Sequence, residues 1–411
     1  MKNTLFLCAE NFPPRYEFLK EVFGSILQEK GYRFTWIMPS TSTRNVDVIK
    51  WGGNKVYIYP KNRPSNFLDV FIQYASRFYH ISTILVKIIK SDQNFDAVQV
   101  RDDPMMGIFS YLISLSKKIP LIYQISHFKE EEQIIYSKEG IYGSKFKNKV
   151  MGYIGLLVRN FILNKSTVVL PISPEMTRAL KNEYKIQAPC IPVNEGVPKI
   201  ESLSNIDETS EKVRKKYNIG NNAIIYIGTI NKFRKPEFMI DVMRKLADKE
   251  VKCELIILGS GRSQNDVSDL LDYADKQRIS SNIKYIGSVE KKKVYAFIRA
   301  CNVGISPFPL NSVLMNNSPI KTLEYMLMSI PVVASPIPDH IETVKKANAG
   351  YVVENDNDRF ASAITKLLSK NKKSQRKIGA RGRKFVLKNR TFKKLSKKVK
   401  KVYDNKIFNK L

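Results

Sequence analysis

The sequence is poor in the residues that build metal centres and disulfide frameworks. It has four cysteines and three histidines among 411 residues, and the cysteines form no CxxC pair and have no histidine nearby. Neither a disulfide framework nor a zinc site is therefore indicated.

The chain also lacks an apolar run of the roughly 20 residues that a membrane-spanning helix needs. Its first apolar run meets polar residues before it reaches the length of a signal peptide, which predicts a buried strand and a cytoplasmic protein.

Acidic residues are scarce relative to basic ones. The chain has 69 Lys and Arg against 38 Asp and Glu, a net charge of +31. Residues 370–410 alone hold 18 basic residues and one acid, Asp404. Such an excess predicts an anionic partner: nucleic acid, an anionic membrane surface or a phosphorylated substrate. Lysine enrichment also fits an AT-rich coding sequence. Because no base-stacking motif or reading helix is evident, we expect no nucleic-acid partner.

Short apolar runs alternate with helical patterns in two series. The first series is NTLFLCA, YRFTWIMP, KVYIYP, DAVQVR, PLIYQIS and TVVLPIS, and the second is AIIYIGTI, CELIILGSG, IKYIGSV, NVGISPF, IPVVASP and GYVVE. Such alternation predicts βα units and a parallel sheet. We therefore predict an α/β protein with two Rossmann-like domains facing across a cleft, over residues 1–200 and 201–390. The polar stretch 198–218 is predicted to be the hinge, and a helix over 391–411 is expected to pack back on the first domain.

The most informative stretch is MNNSPIKTLEYMLMSIPVVASPIPDHIE, residues 315–342. A polar loop containing Ser318 and Pro319 leads into a helical pattern, which is a helix-start signature. Free backbone N–H groups and the helix dipole make such a start a site for an anion. Lys321 falls in the first turn, where its charge can reach a phosphate. Glu324 lies further along, where a carboxylate can accept hydrogen bonds from two ribose hydroxyls. An ordinary helix start shows the same features.

This stretch resembles the signature of the family 4 (group 1) glycosyltransferases, retaining enzymes of the GT-B fold. That signature has two glutamates eight positions apart, followed by an apolar strand of the type PVVAS. Glu324 matches the second glutamate, and the resemblance implies that it holds the ribose of the donor. Asn316 stands at the position of the first, so the side chain keeps its hydrogen-bonding capacity and loses the charge. The resemblance implies a metal-independent hexosyltransferase that uses a UDP- or GDP-linked sugar and no cofactor.

Further segments follow the order of the family over nearly the whole chain. IIYIGTINKFRKPEFMI resembles the segment that binds the donor diphosphate. Gly228 there is followed by Thr229, where the family has an arginine. Arg234 aligns with the second basic position of the family, and Lys235 follows it. The resemblance implies that Arg234 stabilises the leaving phosphate, and Lys235 is the alternative residue for this role.

Three other segments complete the predicted site. LGSGR, with Gly259 and Gly261, follows a buried strand and either lets the backbone approach phosphate or makes a tight turn. YIGSV, with Ser288, resembles the loop whose backbone reads the base. PLIYQISHFKEEE resembles the strand end where the family places a histidine at the reacting sugar, which is His127 here. The resemblance thus implies His127, Arg234 and Asn316 as the catalytic residues.

The acceptor side is less defined by the sequence. The loop AENFPPRYEFLKEV departs from the family, because Arg15 and Tyr16 stand where glycines are usual. Two basic, apolar helix candidates, at 67–90 and 145–165, fit either a membrane interface or the core of the first domain. We expect a carbohydrate or lipid-linked acceptor of surface polysaccharide or glycoconjugate synthesis, and peripheral contact with the inner face of an anionic membrane.

Two other functions remain open at this stage. A sugar-nucleotide epimerase shares the two-domain cleft but needs acidic groups near the sugar for proton transfer. A basic binding protein that has lost the chemistry is the non-enzymatic alternative. The residues that come nearest to a metal-binding DxD motif are Asp102 and Asp103. Arg101 lies beside them in the sequence, which predicts an ion pair rather than a metal site.

Overall fold

The computed structural model describes residues 2–61, 67–91, 93–199 and 205–408, with side chains omitted for 67–71. The chain divides into two compact units. Unit 1 comprises residues 1–134, 149–194 and 392–411, and unit 2 comprises 135–148 and 195–391.

Both units are built on a largely parallel sheet. The seven strands of unit 1 lie in the order β3-β4-β2-β1-β5-β6-β7, and the six of unit 2 in the order β10-β9-β8-β11-β12-β13. All neighbouring strands are parallel except β3, which is antiparallel to β4. The twelve predicted runs all become strands, and β3 is the addition. The strands are β1 (Lys2–Cys8), β2 (Tyr32–Ser40), β3 (Asp47–Trp51), β4 (Asn54–Pro60), β5 (Ala97–Arg101), β6 (Leu121–Ile125), β7 (Val168–Pro171), β8 (Ala223–Ile227), β9 (Glu254–Leu258), β10 (Ile283–Gly287), β11 (Val303–Ser306), β12 (Val332–Ala334) and β13 (Gly350–Val352).

Helices connect successive strands, as parallel pairing requires. They are α1 (Phe67–Lys90), α2 (Pro104–Lys117), α3 (Lys129–Glu139), α4 (Lys145–Lys165), α5 (Pro174–Asn182), α6 (Ile206–Lys216), α7 (Glu237–Asp248), α8 (Asn265–Lys276), α9 (Lys291–Ala300), α10 (Ile320–Leu327), α11 (Pro338–His340), α12 (Asn357–Leu368), α13 (Lys372–Asn389) and α14 (Phe392–Val402). Short π-helical segments are Leu19–Ile26, Ile341–Lys345 and Tyr403–Phe408, and 3-10 turns are Gln28–Lys30, Lys232–Arg234, Ser280–Asn282 and Leu314–Asn316. None of the helices in the described part of the chain is long and apolar enough to cross a membrane.

The last helix belongs to unit 1. Leu395, Val399 and Tyr403 are buried in the same core cluster as residues of β1 and β2. The ring of Phe392 meets that of Phe18 with centroids 6.3 Å apart. The apolar positions recur at helical spacing, so one face of α14 is buried while its lysines face solvent. Residues 409–411 of the predicted helix lie outside the described residues.

The predicted hinge is partly wrong. Helix α6 occupies 206–216, inside the polar stretch 198–218. Val213 belongs to the core of unit 2, with Ile206 packed against that core. The helix was missed because its two apolar positions stand seven residues apart, and their partners lie far along the chain. Residues 200–204 of the stretch lie outside the described residues.

The segment 135–148 also corrects the predicted boundary, which placed it in the first domain. The hydroxyl of Tyr142 donates to Asp266 Oδ1 at 2.8 Å and accepts from the backbone N–H of Lys232 at 2.6 Å. The ring of Tyr136 meets that of Phe233 edge to face, with centroids 5.7 Å apart. These contacts make the segment part of unit 2.

Candidate functional site

The strand order of unit 2 defines where a ligand binds. Strands β9 and β10 extend from one side of β8, and β11 to β13 extend from the other. In an open parallel sheet, the crevice for a ligand forms outside the carboxyl ends of the two strands where the order reverses. Those strands are β8 and β11, which pair directly. Gly228 follows β8, and Phe308 lies just beyond β11.

Gly228 lets the other groups of this crevice approach the end of β8. Its φ is +146°, a conformation that side chains of L-residues rarely adopt. A Cβ atom on Gly228 would lie 3.4 Å from Lys321 Nζ, 3.4 Å from the Tyr226 hydroxyl and 3.7 Å from an Arg234 guanidinium nitrogen. The structure therefore brings together three of the predicted residues, Gly228, Arg234 and Lys321.

Gly259 makes a close contact with the protein's own backbone, whereas the sequence predicted an approach to phosphate or a tight turn. Its φ is +148°, and a Cβ atom there would lie 1.9 Å from the carbonyl oxygen of Gly228. The close contact that requires glycine at this position is thus with the protein's own backbone. Gly261 also makes a close contact with the protein's own backbone, because a Cβ atom there would lie 2.5 Å from the carbonyl oxygen of Ser263. The contact of Gly261 is local and agrees with the turn that the sequence left as the alternative, whereas that of Gly259 joins two neighbouring strand ends.

Lys321 is the distinctive side chain of the crevice. It lies in the first turn of α10, as predicted, and is only 5% exposed. Its Nζ has no hydrogen-bond partner among the described residues. The ammonium lies 3.9 Å from the ring centroid of Tyr226 and 5.0 Å from that of Phe308. Burial, and secondly the charge of Arg234, lower the pKa of Lys321 well below its usual range.

Arg234 is held at the crevice by a local turn. It ends the 3-10 turn Lys232–Arg234, and the side chain of Asn231 caps this turn by accepting from the Arg234 N–H at 2.9 Å. The guanidinium lies 5.5 Å from the ring centroid of Phe308. Lys235 follows with a φ of +49°, and its side chain is exposed. Two cations, Arg234 and Lys321, thus share one aromatic wall.

Glu324 lies one turn further along α10 and is 1% exposed. Its carboxylate is paired with the ammonium of Lys291, at the start of α9. The Lys291 side chain is 36% exposed, so the pair lies at the edge of the protein interior. A carboxylate has two oxygens with several lone pairs, so Glu324 can accept further hydrogen bonds beside this ion pair.

The loop before α10 is anchored by buried polar groups. The Ser318 hydroxyl accepts from the Glu195 N–H and from Arg390 Nη1, each at 3.4 Å. Arg390 also binds Asp339 Oδ1 at 2.6 Å. Burial, followed by the charge of Asp339, raises the pKa of Glu195 well above its usual range. Asn316 ends a 3-10 turn in this loop.

The remaining predicted residues of unit 2 occupy simpler positions. The Asn316 side chain is half-buried and donates to the Ser312 carbonyl at 2.6 Å. Pro319 precedes the first residue of α10, with extended backbone angles. Ser288 is exposed and directly follows β10.

His340 is a buried residue to which no role was assigned from the sequence, although it stands in SPIPDHIE near the predicted donor loop. Its Nδ1 lies 2.8 Å from the Ser335 carbonyl, and its Nε2 lies 3.0 Å from the Thr322 hydroxyl and 3.1 Å from that of Ser306. Burial lowers the pKa of His340 to about 4. The neutral ring donates from Nδ1 and accepts at Nε2, which ties α10 to the end of β11.

His127 lies in unit 1, directly after β6, as predicted. Its Nε2 is hydrogen-bonded to the carboxylate of Glu132, in the first turns of α3. The imidazole is 22% exposed. A histidine oriented by a carboxylate is suited to donate a hydrogen bond or to exchange a proton.

A cavity of about 260 Å³ lies at the strand-order reversal of unit 1, between the carboxyl ends of β1 and β5. Arg101 lies 3.3 Å from Asp102 there, so the predicted ion pair is confirmed. The ring of Tyr16 stacks on Arg101, 4.1 Å from ring centroid to guanidinium carbon. The cavity is lined by Cys8, Ala9, Glu10, Arg101, Asp102 and Lys129.

Sequence reasoning missed Tyr226, Lys291, Phe308 and His340. Phe308 lies just beyond β11 and Lys291 at the start of α9, so the rule that ligands bind at strand ends was the available signal for these two, whereas Tyr226 lies within β8 and His340 at the end of α11. Their contacts with α10 depend on the packing of strands that lie far apart in sequence.

Comparisons with known proteins agree with this geometry. Residues 209–385 match the family model described as Glycosyl transferases group 1. An uncharacterized glycosyltransferase of Methanocaldococcus jannaschii is 23% identical over 261 residues, which span 61% of this chain and 58% of that protein.

Solved structures match over nearly the full length. A sucrose-phosphate synthase from Thermosynechococcus elongatus has a TM-score of 0.77 at 13% identity, with 98% of each chain covered. A UDP-forming trehalose-phosphate synthase from Burkholderia xenovorans has a TM-score of 0.71 at 13% identity, with 99% of each covered. Anabaena HepE in complex with UDP has a TM-score of 0.69 at 14% identity, with 98% of this chain and 100% of HepE covered. This chain therefore has the GT-B fold, and its residues 209–385 are similar to the glycosyl transferases group 1.

Proposed function

We propose that this protein transfers a sugar from a nucleotide-sugar donor to a carbohydrate or lipid-linked acceptor, with retention of the anomeric configuration. The observation that carries the proposal is the buried, unpartnered ammonium of Lys321 beside Arg234. Among the described residues this ammonium has no hydrogen-bond partner, and a buried charge without one destabilises the free protein. A diphosphate that enters this crevice supplies the missing negative charge to both side chains.

The same two cations act on the leaving group. When the bond between the sugar carbon and the diphosphate oxygen breaks, negative charge accumulates on the diphosphate. Fixed positive charges at that point stabilise the transition state more than the ground state. The start of α10 adds backbone N–H groups and the positive end of the helix dipole.

Glu324 is proposed to accept hydrogen bonds from the ribose hydroxyls. It lies one helical turn beyond Lys321, so a nucleotide whose diphosphate meets Lys321 extends its ribose along α10. Lys291 pairs with this carboxylate and is exposed enough to move when the ribose arrives. The complexes of HepE with UDP and UDP-glucose favour a UDP-linked donor over a GDP-linked one.

Asn316 of unit 2 is proposed to contact the donor sugar, and His127 is proposed as the catalytic histidine of unit 1. Asn316 offers an amide where a carboxylate would otherwise accept from a sugar hydroxyl. His127 offers an imidazole oriented by Glu132. The acceptor is proposed to bind on the unit 1 side, where Arg101 and Lys129 line a cavity.

We also propose that the protein works in the cytoplasm, as a peripheral protein on the inner face of an anionic membrane. The net charge of +31 and the basic stretch 370–410 support this location. Precursors of surface polysaccharides or glycoconjugates are the acceptors expected there.

Slow donor hydrolysis without acceptor tests the proposed reaction. UDP- and GDP-linked sugars are incubated with the protein, and the anomer first released is identified by proton NMR. We expect release with retained configuration from at least one donor, and weaker donor binding in Glu324→Gln. Inverted configuration, or a donor panel that neither binds nor reacts, would contradict the proposal.

A further inference from the structure

The exposed apolar side chains of the protein are concentrated on one surface. Of the 18 large hydrophobic residues that are exposed in the described part of the chain, 14 lie on the portions of α1, α2 and α4 that belong to unit 1. Soluble proteins rarely expose an apolar surface of this extent without a partner. We call these residues the three-helix surface; they are Ile72, Tyr74, Phe78, Tyr79, Val86, Ile89, Ile108, Leu112, Leu115, Val150, Tyr153, Ile154, Leu157 and Phe161.

The three helices lie side by side. Phe78 of α1 meets Phe109 of α2, with ring centroids 5.1 Å apart. Tyr111 of α2 meets Phe161 of α4, with centroids 5.5 Å apart. The exposed side chains therefore belong to one continuous layer rather than to three separate patches.

Each helix turns its exposed apolar side chains away from the core. On α4 the exposed positions 150, 153, 154, 157 and 161 recur at spacings of three and four residues and form one stripe. The buried Arg159 and Ile162 lie on the opposite face. On α2, Ile108, Leu112 and Leu115 are likewise opposite the buried Met106.

The edge of this layer is basic. Helices that follow parallel strands all run in the same direction, so the carboxyl ends of α1, α2 and α4 lie at one edge. α2 and α4 contain no acid, and α1 contains only Asp69. The exposed lysines of this edge are Lys87, Lys90, Lys117, Lys118 and Lys165.

We propose that the three-helix surface docks into the interface of a lipid bilayer that contains anionic lipid. The apolar side chains enter the boundary between head groups and acyl chains, and the lysine edge lies against lipid phosphates. Amphipathic helices with lysines beside the apolar face bind membranes in this way. A second copy of the chain fits less well, because two lysine edges would repel each other. The surface specifies how the membrane location in the proposed function is reached, and a lipid-linked acceptor for the transferase rests on that proposed function.

This docking mode differs from attraction by charge alone. Salt screens the contribution of the lysines, whereas the insertion of apolar side chains is not screened. Binding to anionic vesicles should therefore weaken with added salt without being abolished.

Flotation of the full chain with vesicles tests the proposal. The double variant Leu112→Glu/Leu157→Glu places two carboxylates at positions that are 54% and 71% exposed, where the fold tolerates them. The matched control, Val48→Glu/Ile341→Glu, adds the same charge at exposed positions outside the three-helix surface. Vesicles contain phosphatidylcholine with or without phosphatidylglycerol, at low salt and at about 0.5 M salt, where the Debye length is roughly 4 Å.

We expect the wild type to float with anionic vesicles and to keep part of this binding at high salt. The Leu112/Leu157 variant should bind at least tenfold more weakly, and the control within twofold of the wild type. Lys117→Ala/Lys118→Ala should reduce the preference for anionic lipid at least threefold.

The proposal is overturned if the wild type does not float, or if the Leu112/Leu157 variant floats as well as the control. It is also overturned if light scattering shows a wild-type dimer that this variant converts to monomer without a change in vesicle binding. UDP binding measured in the absence of lipid keeps this outcome separate from the proposed transferase function.

Discussion

Lys321 combines a charge, deep burial and the lack of a partner in a single residue. The ammonium is 5% exposed, and the rings of Tyr226 and Phe308 are its nearest compensation. A cation and a ring attract each other by about 0.5–2 kcal/mol, which is less than the cost of removing the ammonium from water. The residue is therefore unfavourable for the stability of the free protein and favourable for a bound anion.

Replacing Lys321 with methionine should stabilise the free protein. Methionine fills a similar volume and removes the desolvated charge, so we expect the free energy of unfolding to rise by about 1–4 kcal/mol. Thermal and urea unfolding without ligand measure this change. The control is Lys235→Met at an exposed position, which should change stability by less than about 0.5 kcal/mol. A clear loss of stability in Lys321→Met would mean that the ammonium has a partner in solution.

His340 should make the stability of the protein depend on pH. Its pKa is about 4 in the folded protein and about 6.5 when unfolded. Above pH 6.5 both states are neutral and the contribution is complete. As the pH falls from 6.5 towards 4, the unfolded chain takes up a proton that the native state excludes, so about 3 kcal/mol of stability is lost. Urea unfolding between pH 4.5 and 8 checks this.

The control for that measurement is His340→Gln, which keeps a donor and an acceptor and does not titrate. The difference in unfolding free energy between wild type and variant should shrink as the pH falls. A difference that stays constant with pH would show that His340 is protonated equally in both states.

At the site, the sequence predicted the residues that lie close together along the chain. Lys321 and Glu324 were found from the helix start at Pro319, and Arg234 from the resemblance of its segment to the family's diphosphate-binding segment. The partner of Glu324, Lys291, lies 33 residues earlier and joins it only because α9 and α10 pack together. No local pattern indicates such a pair.

At the scale of helices and strands, the sequence predicted the elements whose apolar residues form a strong local pattern. The buried parallel strands are continuous apolar runs and were found. β3 was missed because its residues are largely exposed and its pairing with β4 depends on the turn at Gly52 and Gly53. α6 was missed because a polar surface helix has few apolar positions.

The segment 135–148 shows how one element positions another. Its Tyr142 hydroxyl bonds the N–H of Lys232, the first residue of the turn that carries Arg234, and also bonds Asp266. The segment thereby holds the loop that carries Arg234, from a distant part of the chain.

Tyr142→Phe removes these two hydrogen bonds without changing the ring. We expect the free energy of unfolding to fall by about 1–3 kcal/mol, because the charged Asp266 loses a donor. UDP affinity should fall severalfold as the turn loosens. Tyr153→Phe, at a residue that is 46% exposed, is the matched control. Unchanged stability and UDP affinity in Tyr142→Phe would refute this role.

At the scale of the whole molecule, the same strand-order reversal occurs in both units and marks a polar crevice in each. The reversal of unit 2 holds Lys321 and Arg234, and that of unit 1 holds Arg101 and Lys129. Net charge predicted an anionic partner but not its place. The proposed place rests on topology, because strand ends meet at the reversal, and on burial, because the Lys321 ammonium has no hydrogen-bond partner among the described residues.

The most direct test of the account is a calorimetric titration of UDP, with GDP as the alternative, into three proteins. They are the wild type, Lys321→Met/Arg234→Ala, and the control Lys232→Met/Lys235→Met, which loses the same two charges from exposed side chains of the same loop. Each charged hydrogen bond contributes about 1.5–3 kcal/mol, so we predict at least a hundredfold loss of affinity in the first variant. The control should remain within about threefold, since exposed charges contribute little. Equal affinity in all three, or an equal loss in the two variants, would contradict the assignment of this crevice to the donor diphosphate.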